Sequence, residues 1–317
     1  MNILITGITG LFGSQLAKEF SQLGKIHGLR RKESSVELVD ATVEVIWHQG
    51  DVNDFDSLVD SLKEIDLVVH AAGLVSFSTK DQEVLDRVNT QGTENLVNAM
   101  LFTGVPKLVH VSSVAAIGRV PGVKSLDEDF KWVESPLNSD YAISKYRAEL
   151  EVWRGQQEGL DVLVVNPSII LGKLSSKRSS TEILEYVMNE NRFYPTGNLN
   201  YIDVRDAAVI TRSLVEKGAW GERFILNKES LSYREFFKTA AKVFSKKAPS
   251  VKVSENMVRI FAPVMRILNL LGLSKNSFNK QTARIALQKS EYRNQKVQSL
   301  LNHHYFTLEE SLEWAKS

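Results

Sequence analysis

Cysteine is absent from the 317 residues, which excludes disulfide bridges, thiolate nucleophiles and cysteine metal ligands. That fits a reducing compartment. No leader segment precedes the first apolar run, so the expected location is the cytoplasm. Neither sign of charge is in excess, with 39 basic and 38 acidic side chains; no overall field argues for nucleic acid or an anionic membrane as partner. Long apolar runs are missing too. The most apolar late stretch, Met257 to Leu273, is interrupted by Arg259, Pro263, Arg266 and Asn269, too broken for a membrane-spanning helix. The six histidines show no metal-ligand spacing, so no metal is expected, and adjacent His303 and His304 are expected at the surface near the final turn. No internal repeat or low-complexity linker is visible. The length is enough to bury a large core, as one two-lobed enzyme or as two domains.

What is present is a rhythm. Strand-like runs recur at 2–6, 25–30, 43–48, 66–71, 107–112 and 161–166, separated by helical stretches that include 82–103 and 139–158. Alternating β and α elements with apolar strands predict a parallel sheet covered by helices on both faces. After Asn166 the pattern breaks into loop, helix, short strand and helix. We therefore expect an α/β fold: a Rossmann-type doubly wound parallel sheet from 1–165 and 203–226, with a smaller C-terminal substrate lobe from 166–202 and 227–317. The lobe should lie over the carboxyl ends of the strands, where open α/β sheets bind ligands.

The first strand runs directly into Gly7, Gly10 and Gly13, and then into a helical stretch with apolar residues at Leu16, Phe20 and Leu23 and a stop at Gly24. Strand, glycine-rich turn and helix in that order form an opening that binds a dinucleotide. Gly7 permits the tight turn, Gly10 admits the pyrophosphate to the backbone, and Gly13 lets the helix pack closely. A glycine-rich turn with no ligand is the plainer reading of these residues alone.

Far along the chain, Tyr141 and Lys145 stand four apart in Asp-Tyr-Ala-Ile-Ser-Lys-Tyr, a spacing that places both on one helix face. An ammonium beside a phenol favours the phenolate, making a usable proton donor and acceptor. Lowering a tyrosine from about 10 to about 7 takes roughly 4 kcal/mol. One ammonium does not supply that, so a second positive charge is expected nearby, such as an oxidised nicotinamide.

The Thr-Gly-x-x-Gly-x-x-Gly turn together with Tyr-x-x-x-Lys resembles the extended short-chain dehydrogenases/reductases, the NAD-dependent epimerase/dehydratase family. Further landmarks follow in order over residues 1–210. Val68-Val-His-Ala71-Ala72-Gly73 resembles the fourth strand and its cofactor-lining turn. Asn89 matches a helix asparagine beside the active site. Val109-His-Val-Ser-Ser113 resembles the strand that ends on the catalytic hydroxyl. Asn166-Pro167-Ser168 is similar to the segment that meets the nicotinamide carboxamide, and Tyr201-Ile-Asp-Val-Arg-Asp206 matches a motif opening a late helix. The resemblance implies a catalytic set of Ser113, Tyr141 and Lys145. Neighbouring side chains of a strand face opposite ways, so only one of Ser112 and Ser113 can face the site. Gly118, five residues after Ser113, is placed as in relatives. It implies cofactor contacts from Gly7, Thr9, Gly10, Leu11, Phe12, Gly13, Asp51, Val52, Ala71, Ala72, Gly73, Asn89, Tyr141, Lys145, Pro167, Ser168 and Ile169.

Two departures refine the resemblance. Dehydratases of the family carry Asp-Glu directly after the catalytic hydroxyl; here those positions are Val114 and Ala115, which cannot transfer a proton. The second strand ends in Arg30-Arg31-Lys32, where NAD-preferring folds usually place a carboxylate; Arg30 and Arg31 imply NADP, with NAD the alternative. The branch most similar is that of dihydroflavonol reductases and hydroxysteroid dehydrogenases, which implies a small-molecule ketone or aldehyde substrate, or the matching alcohol. Met257 to Leu273 is a candidate cover for an apolar pocket. Against this stand a nucleotide-sugar epimerase, with Lys173, Lys177 and Arg178 near a diphosphate, and an NADP-sensing regulator without chemistry. Homodimer formation through the two long helices is compatible with the pattern.

Overall fold

The computed structural model describes residues 1–174, 181–253 and 280–317. Fourteen strands occur among them, in chain order β1 (Asn2–Thr6), β2 (Lys25–Arg30), β3 (Val45–Gln49), β4 (Leu67–His70), β5 (Lys107–Val111), β6 (Ser125–Leu126), β7 (Asp161–Pro167), β8 (Ile169–Leu171), β9 (Phe193–Pro195), β10 (Asn198–Asp203), β11 (Glu222–Leu226), β12 (Glu229–Ser232), β13 (Val251–Val253) and β14 (Glu291–Tyr292). Seven of them form one sheet in the order β11-β7-β5-β4-β1-β2-β3, parallel throughout. The six expected strands are there, each within two residues of its expected bounds. The seventh, β11, falls in a stretch whose apolar run is too short to separate strand from loop in sequence.

The helices up to residue 244 are α1 (Leu11–Phe20), α2 (Phe55–Ser61), α3 (Gln82–Leu85), α4 (Gly92–Thr103), α5 (Asp140–Gln157), α6 (Glu182–Met188), α7 (Val204–Glu216) and α8 (Tyr233–Phe244). Buried apolar residues on both faces of the sheet show why it is doubly wound. Ile3, Ile5 and Val109 join Leu16, Phe20 and Ile210 from α1 and α7 on one side. Leu4, Val68 and Leu108 join Leu58, Leu96 and Val152 from α2, α4 and α5 on the other. Strand pleating sends alternate residues to opposite faces, so a strand buried on both sides must be apolar throughout.

The long helix α5 is fixed at both ends. The Ser139 side chain accepts from Ala142 N, Asp140 sits in the first turn and Arg154 in the last, each complementing the local helix dipole. Between α3 and α4 the helix widens into a π turn over Asp86–Gln91. Outside the large sheet, a three-stranded sheet, β12-β10-β8, lies over a second core that includes Leu184, Tyr201, Phe236, Phe237 and Leu312. No helix of the described residues is long and apolar enough to cross a membrane.

Candidate active site

The glycine turn lies at the carboxyl end of β1, beside β4, where the strand order reverses. Gly7 has φ +68, and a Cβ there would lie 2.5 Å from the Ala72 nitrogen. A Cβ on Gly13 would lie 2.1 Å from the Gly7 carbonyl oxygen, so only glycine lets α1 close onto the turn. Gly10 donates its N–H to Gly7 O at 2.9 Å and is the N-cap of α1. Backbone N–H groups at this helix end form a cradle suited to a pyrophosphate. Thr9 and Leu11 are half-buried beside it, while Phe12 is a core residue. Leu11 reaches the segment after β8, since a Cβ on Gly172 would meet its side chain.

From this turn an ordered hydrogen-bond chain crosses the crevice. Ala72 N donates to Thr6 Oγ1 at 3.2 Å, Thr6 Oγ1 meets His70 Nδ1 at 2.6 Å, and His70 Nε2 meets Thr93 Oγ1 at 3.1 Å. Thr93 donates its only hydroxyl proton to Asn89 O at 2.6 Å. It must therefore accept from His70, which makes His70 the Nε2–H tautomer and Thr6 the donor to Nδ1. Burial, with a smaller push from the Lys145 charge, pulls the His70 pKa down to about 3, so the ring stays neutral. Asn89 sits in the π turn and clamps the next loop. Its Oδ1 accepts from Leu74 N at 2.7 Å, and its Nδ2 donates to Leu74 O at 2.9 Å and to Ser144 Oγ at 3.0 Å. The extra residue of a π turn re-aims one side chain out of helical register, a feature frequent at functional sites.

Ser113, Tyr141 and Lys145 come together at the end of β5. The Ser113 hydroxyl faces the Tyr141 hydroxyl closely enough to favour its charged form and accepts from Ala115 N at 3.1 Å. The Ser112 hydroxyl is buried with no partner among the described residues. Lys145 Nζ donates to Val111 O at 2.8 Å and lies 3.7 Å from where Gly73 would carry a Cβ. In the absence of a nicotinamide charge, burial dominates the electrostatics of the site. Burial raises the Tyr141 pKa above its ordinary 10.0, with the Ser113 hydrogen bond opposing, and burial pulls Lys145 down to about 8. Desolvation outweighs the opposing Ser113 contribution and keeps the phenol neutral. Phe77 lies edge-on to Tyr141 with ring centroids 5.9 Å apart. Beyond them, Pro167 ends β7, Ser168 Oγ donates to Leu226 O at 3.2 Å, and Ile169 opens β8 with its side chain half-exposed.

At the opposite end of the crevice, Arg30 lies over the Trp47 indole, its guanidinium carbon 4.9 Å from the ring centroid. Arg31 is exposed. Asp51 Oδ1 accepts from Asn53 N at 2.9 Å, and Val52 is buried against α4, since a Cβ on Gly92 would meet its side chain at 2.8 Å.

Other expected residues lie elsewhere. Lys173 Nζ is 5.4 Å from the centroid of the Trp314 ring; Lys177, Arg178 and Met257–Leu273 are outside the described residues. His303 is not a surface residue: its Nε2 meets buried Asp206 Oδ1 at 2.8 Å, so only His304 is exposed. Sequence reading passed over Thr6, Thr93, Trp47 and Glu149. A lone buried histidine in an apolar strand was the one available signal, at His70.

Comparison with known proteins decides the family. The profile of the NAD dependent epimerase/dehydratase family matches residues 3–224. The chain belongs to that family. Its members are the extended short-chain dehydrogenases/reductases, enzymes dependent on NAD or NADP. Among relatives of this epimerase/dehydratase chain, sterol demethylase protein B of Methylococcus capsulatus is 31% identical over 72% of this chain and 70% of its own. A Synechocystis protein provisionally named a dihydroflavonol 4-reductase is 30% identical over 82% of this chain and 76% of its own. The crystal structure of gox2253 is similar across 99% of this chain and 96% of that one, at 29% identity and a TM-score of 0.84.

Proposed function

We propose that this enzyme reduces a ketone or aldehyde with NADPH, or oxidises the matching alcohol, using Ser113, Tyr141 and Lys145. The observation that carries the reading is the convergence of the Ser113 hydroxyl, the buried phenol of Tyr141 and Lys145 at the end of β5. The glycine cradle would hold the pyrophosphate, Ala71–Gly73 and Pro167–Ile169 the nicotinamide end, Asp51 and Val52 the adenine, and Arg30 and Arg31 the 2′-phosphate. When bound, the nicotinamide supplies the electron pair as hydride. Tyr141 Oη then protonates the carbonyl oxygen, and the Ser113 hydroxyl holds that oxygen in place. Lys145 Nζ, anchored on Val111 O, would hold the ribose hydroxyls. The buried phenol is protonated at neutral pH, so Tyr141 is present as the acid that the reductive step requires.

The smaller lobe, residues 166–202 and 227–317, would cover the substrate, with Phe77 as an apolar wall beside Tyr141. Val114 and Ala115, both buried, offer no group for water elimination. Lys173, packed on Trp314, does not support a diphosphate site for a sugar nucleotide. Cysteine-free composition supports a cytoplasmic setting. Exposed Phe102 on α4 and Leu150 on α5 support pairing of two copies along those helices. A turnover screen with NADPH against ketones, aldehydes and nucleotide sugars tests the reading. Stoichiometric NADPH consumption is expected. Epimerisation without net oxidation would assign the epimerase alternative, and binding without turnover a sensor.

A further inference from the structure

The helix face that presents Tyr141 and Lys145 carries a third polar side chain one turn further on. Glu149 is 2% exposed, and its two oxygens are engaged on different elements. Oε1 accepts from Asn166 Nδ2 at 2.5 Å, and Oε2 faces Arg223 Nη1 at 3.5 Å. Asn166 is fully buried in β7 and donates from the same amide nitrogen to Ser113 O at 3.0 Å. The carboxylate is thus linked, through one side chain, to the backbone of the residue that contacts the Tyr141 hydroxyl.

Arg223 does not neutralise this carboxylate fully. Its Nε donates to Glu128 O at 2.7 Å and its Nη2 to Phe130 O at 2.9 Å, which fixes the guanidinium at a distance that is long for a charge-assisted bond. A buried carboxylate with an incomplete partner seeks a second cation, and the next cation on its own face is Lys145. We propose that Glu149 is a positioning residue that keeps Lys145 in its ammonium form and, through Asn166, holds Ser113 against Tyr141. This rests on the catalytic reading above.

The surroundings of both groups agree with that role. Lys145 is faced by His70 from β4 and His110 from β5, both held neutral by burial, by the neutral phenol of Tyr141, and by Glu149. Burial acts to strip the Lys145 proton, and Glu149 is the acid acting to keep it. Glu149 is faced by Lys145 and by Arg223 from β11. Glu128, beside Arg223, is occupied by the backbone N–H of Ile225 at 2.9 Å.

The test is the midpoint of Lys145 protonation in the cofactor-free protein, read by competitive acetylation with acetic anhydride and mass spectrometry. The same variants give the alkaline limb of kcat/KM, which reports groups of the free enzyme. In Glu149→Gln the labelling midpoint should fall by about one pH unit, a tenfold change in the protonation constant, and the alkaline limb should move down with it. Arg223→Gln should shift both upward, because Glu149 is then left to Lys145; it carries the test if Glu149→Gln does not fold. An unchanged midpoint, with kcat/KM reduced equally at every pH, would make Glu149 merely structural and overturn the proposal. Failure of the catalytic reading looks different: Lys145→Met would then keep wild-type turnover whatever Glu149→Gln does to the midpoint.

Discussion

Arg30 lies over Trp47, whose indole has room because the facing residue is Gly28. On the neighbouring strand a Cβ at Gly28 would come within 2.9 Å of Trp47 Cζ3. A stacked guanidinium has fewer orientations to lose when it meets a phosphate, so the pair is arranged in advance for a 2′-phosphate. The protein should bind NADPH at least about tenfold tighter than NADH, from charge-assisted bonds of ~1.5–3 kcal/mol each. Arg30→Ala and Arg31→Ala should each narrow the gap while sparing NADH, and Trp47→Leu should narrow it less. Added salt should narrow it as well, these groups being at the mouth of the crevice. Calorimetry with both cofactors measures this; equal wild-type affinities would return the arginines to the solvated surface.

Tyr141→Phe should lower kcat by about 10²–10⁴-fold, the usual size of a lost general acid. Thermal stability and cofactor affinity should stay near wild type, since the ring keeps its edge contact with Phe77. Full turnover by the variant would remove Tyr141 from the mechanism.

The two serines at the end of β5 should separate cleanly. Ser113→Ala removes the hydroxyl that faces Tyr141 and should slow turnover. Ser112→Ala deletes a buried hydroxyl with no partner among the described residues and should leave turnover intact while stabilising the fold by up to ~1 kcal/mol. Steady-state rates and urea unfolding on both variants decide the assignment, and the reverse ranking would move the catalytic hydroxyl to Ser112.

Acid should destabilise the fold through two buried imidazoles. His70 is pulled down to about 3 and His110 well below the ordinary 6.5. Below pH 6.5 the unfolded chain takes up protons that the folded one refuses. Stability is therefore complete above that pH and is lost as pH falls toward the folded values, by at most ~1.4 kcal/mol per unit for each ring. His110→Leu should remove about half of that slope. Both nitrogens of His110 lack partners among the described residues, so stability at pH 7.5 should hold or rise. Urea unfolding from pH 7.5 to 5.5 tests this, and an unchanged slope in the variant would contradict it.

Much of this site was legible because its residues are constrained by local rules. Gly7 and Gly13 announce a turn that tolerates no side chain, and a four-residue spacing places Tyr141 and Lys145 together before any tertiary structure is known. What stayed hidden depends on contacts distant in sequence. Glu149 is an ordinary helix acid until Asn166 and Arg223 arrive from other strands. The sign of the Tyr141 shift turned on how deeply the phenol is buried, which spacing does not encode. His303 looked solvent-facing because its partner, Asp206, lies nearly a hundred positions earlier. β11 was passed over because five residues of mixed polarity become a strand only beside β7.

The segment after residue 280 is shared between the two cores: Leu308, Leu312 and Ala315 pack with Tyr201 and Phe236, but the stretch before them does not stay there. Glu291 and Tyr292 pair with β6, and Val297 and Leu301 enter the core on the α1 side of the large sheet. The polypeptide leaves that sheet after Pro167, returns for α7 and β11, departs again at Asn227, and is laced back a final time. Halves joined by this many crossings cannot drift apart. Opening for a substrate would require bending at the crossings, and a protease that cut at Asn227 should leave a nicked molecule that still migrates as a whole.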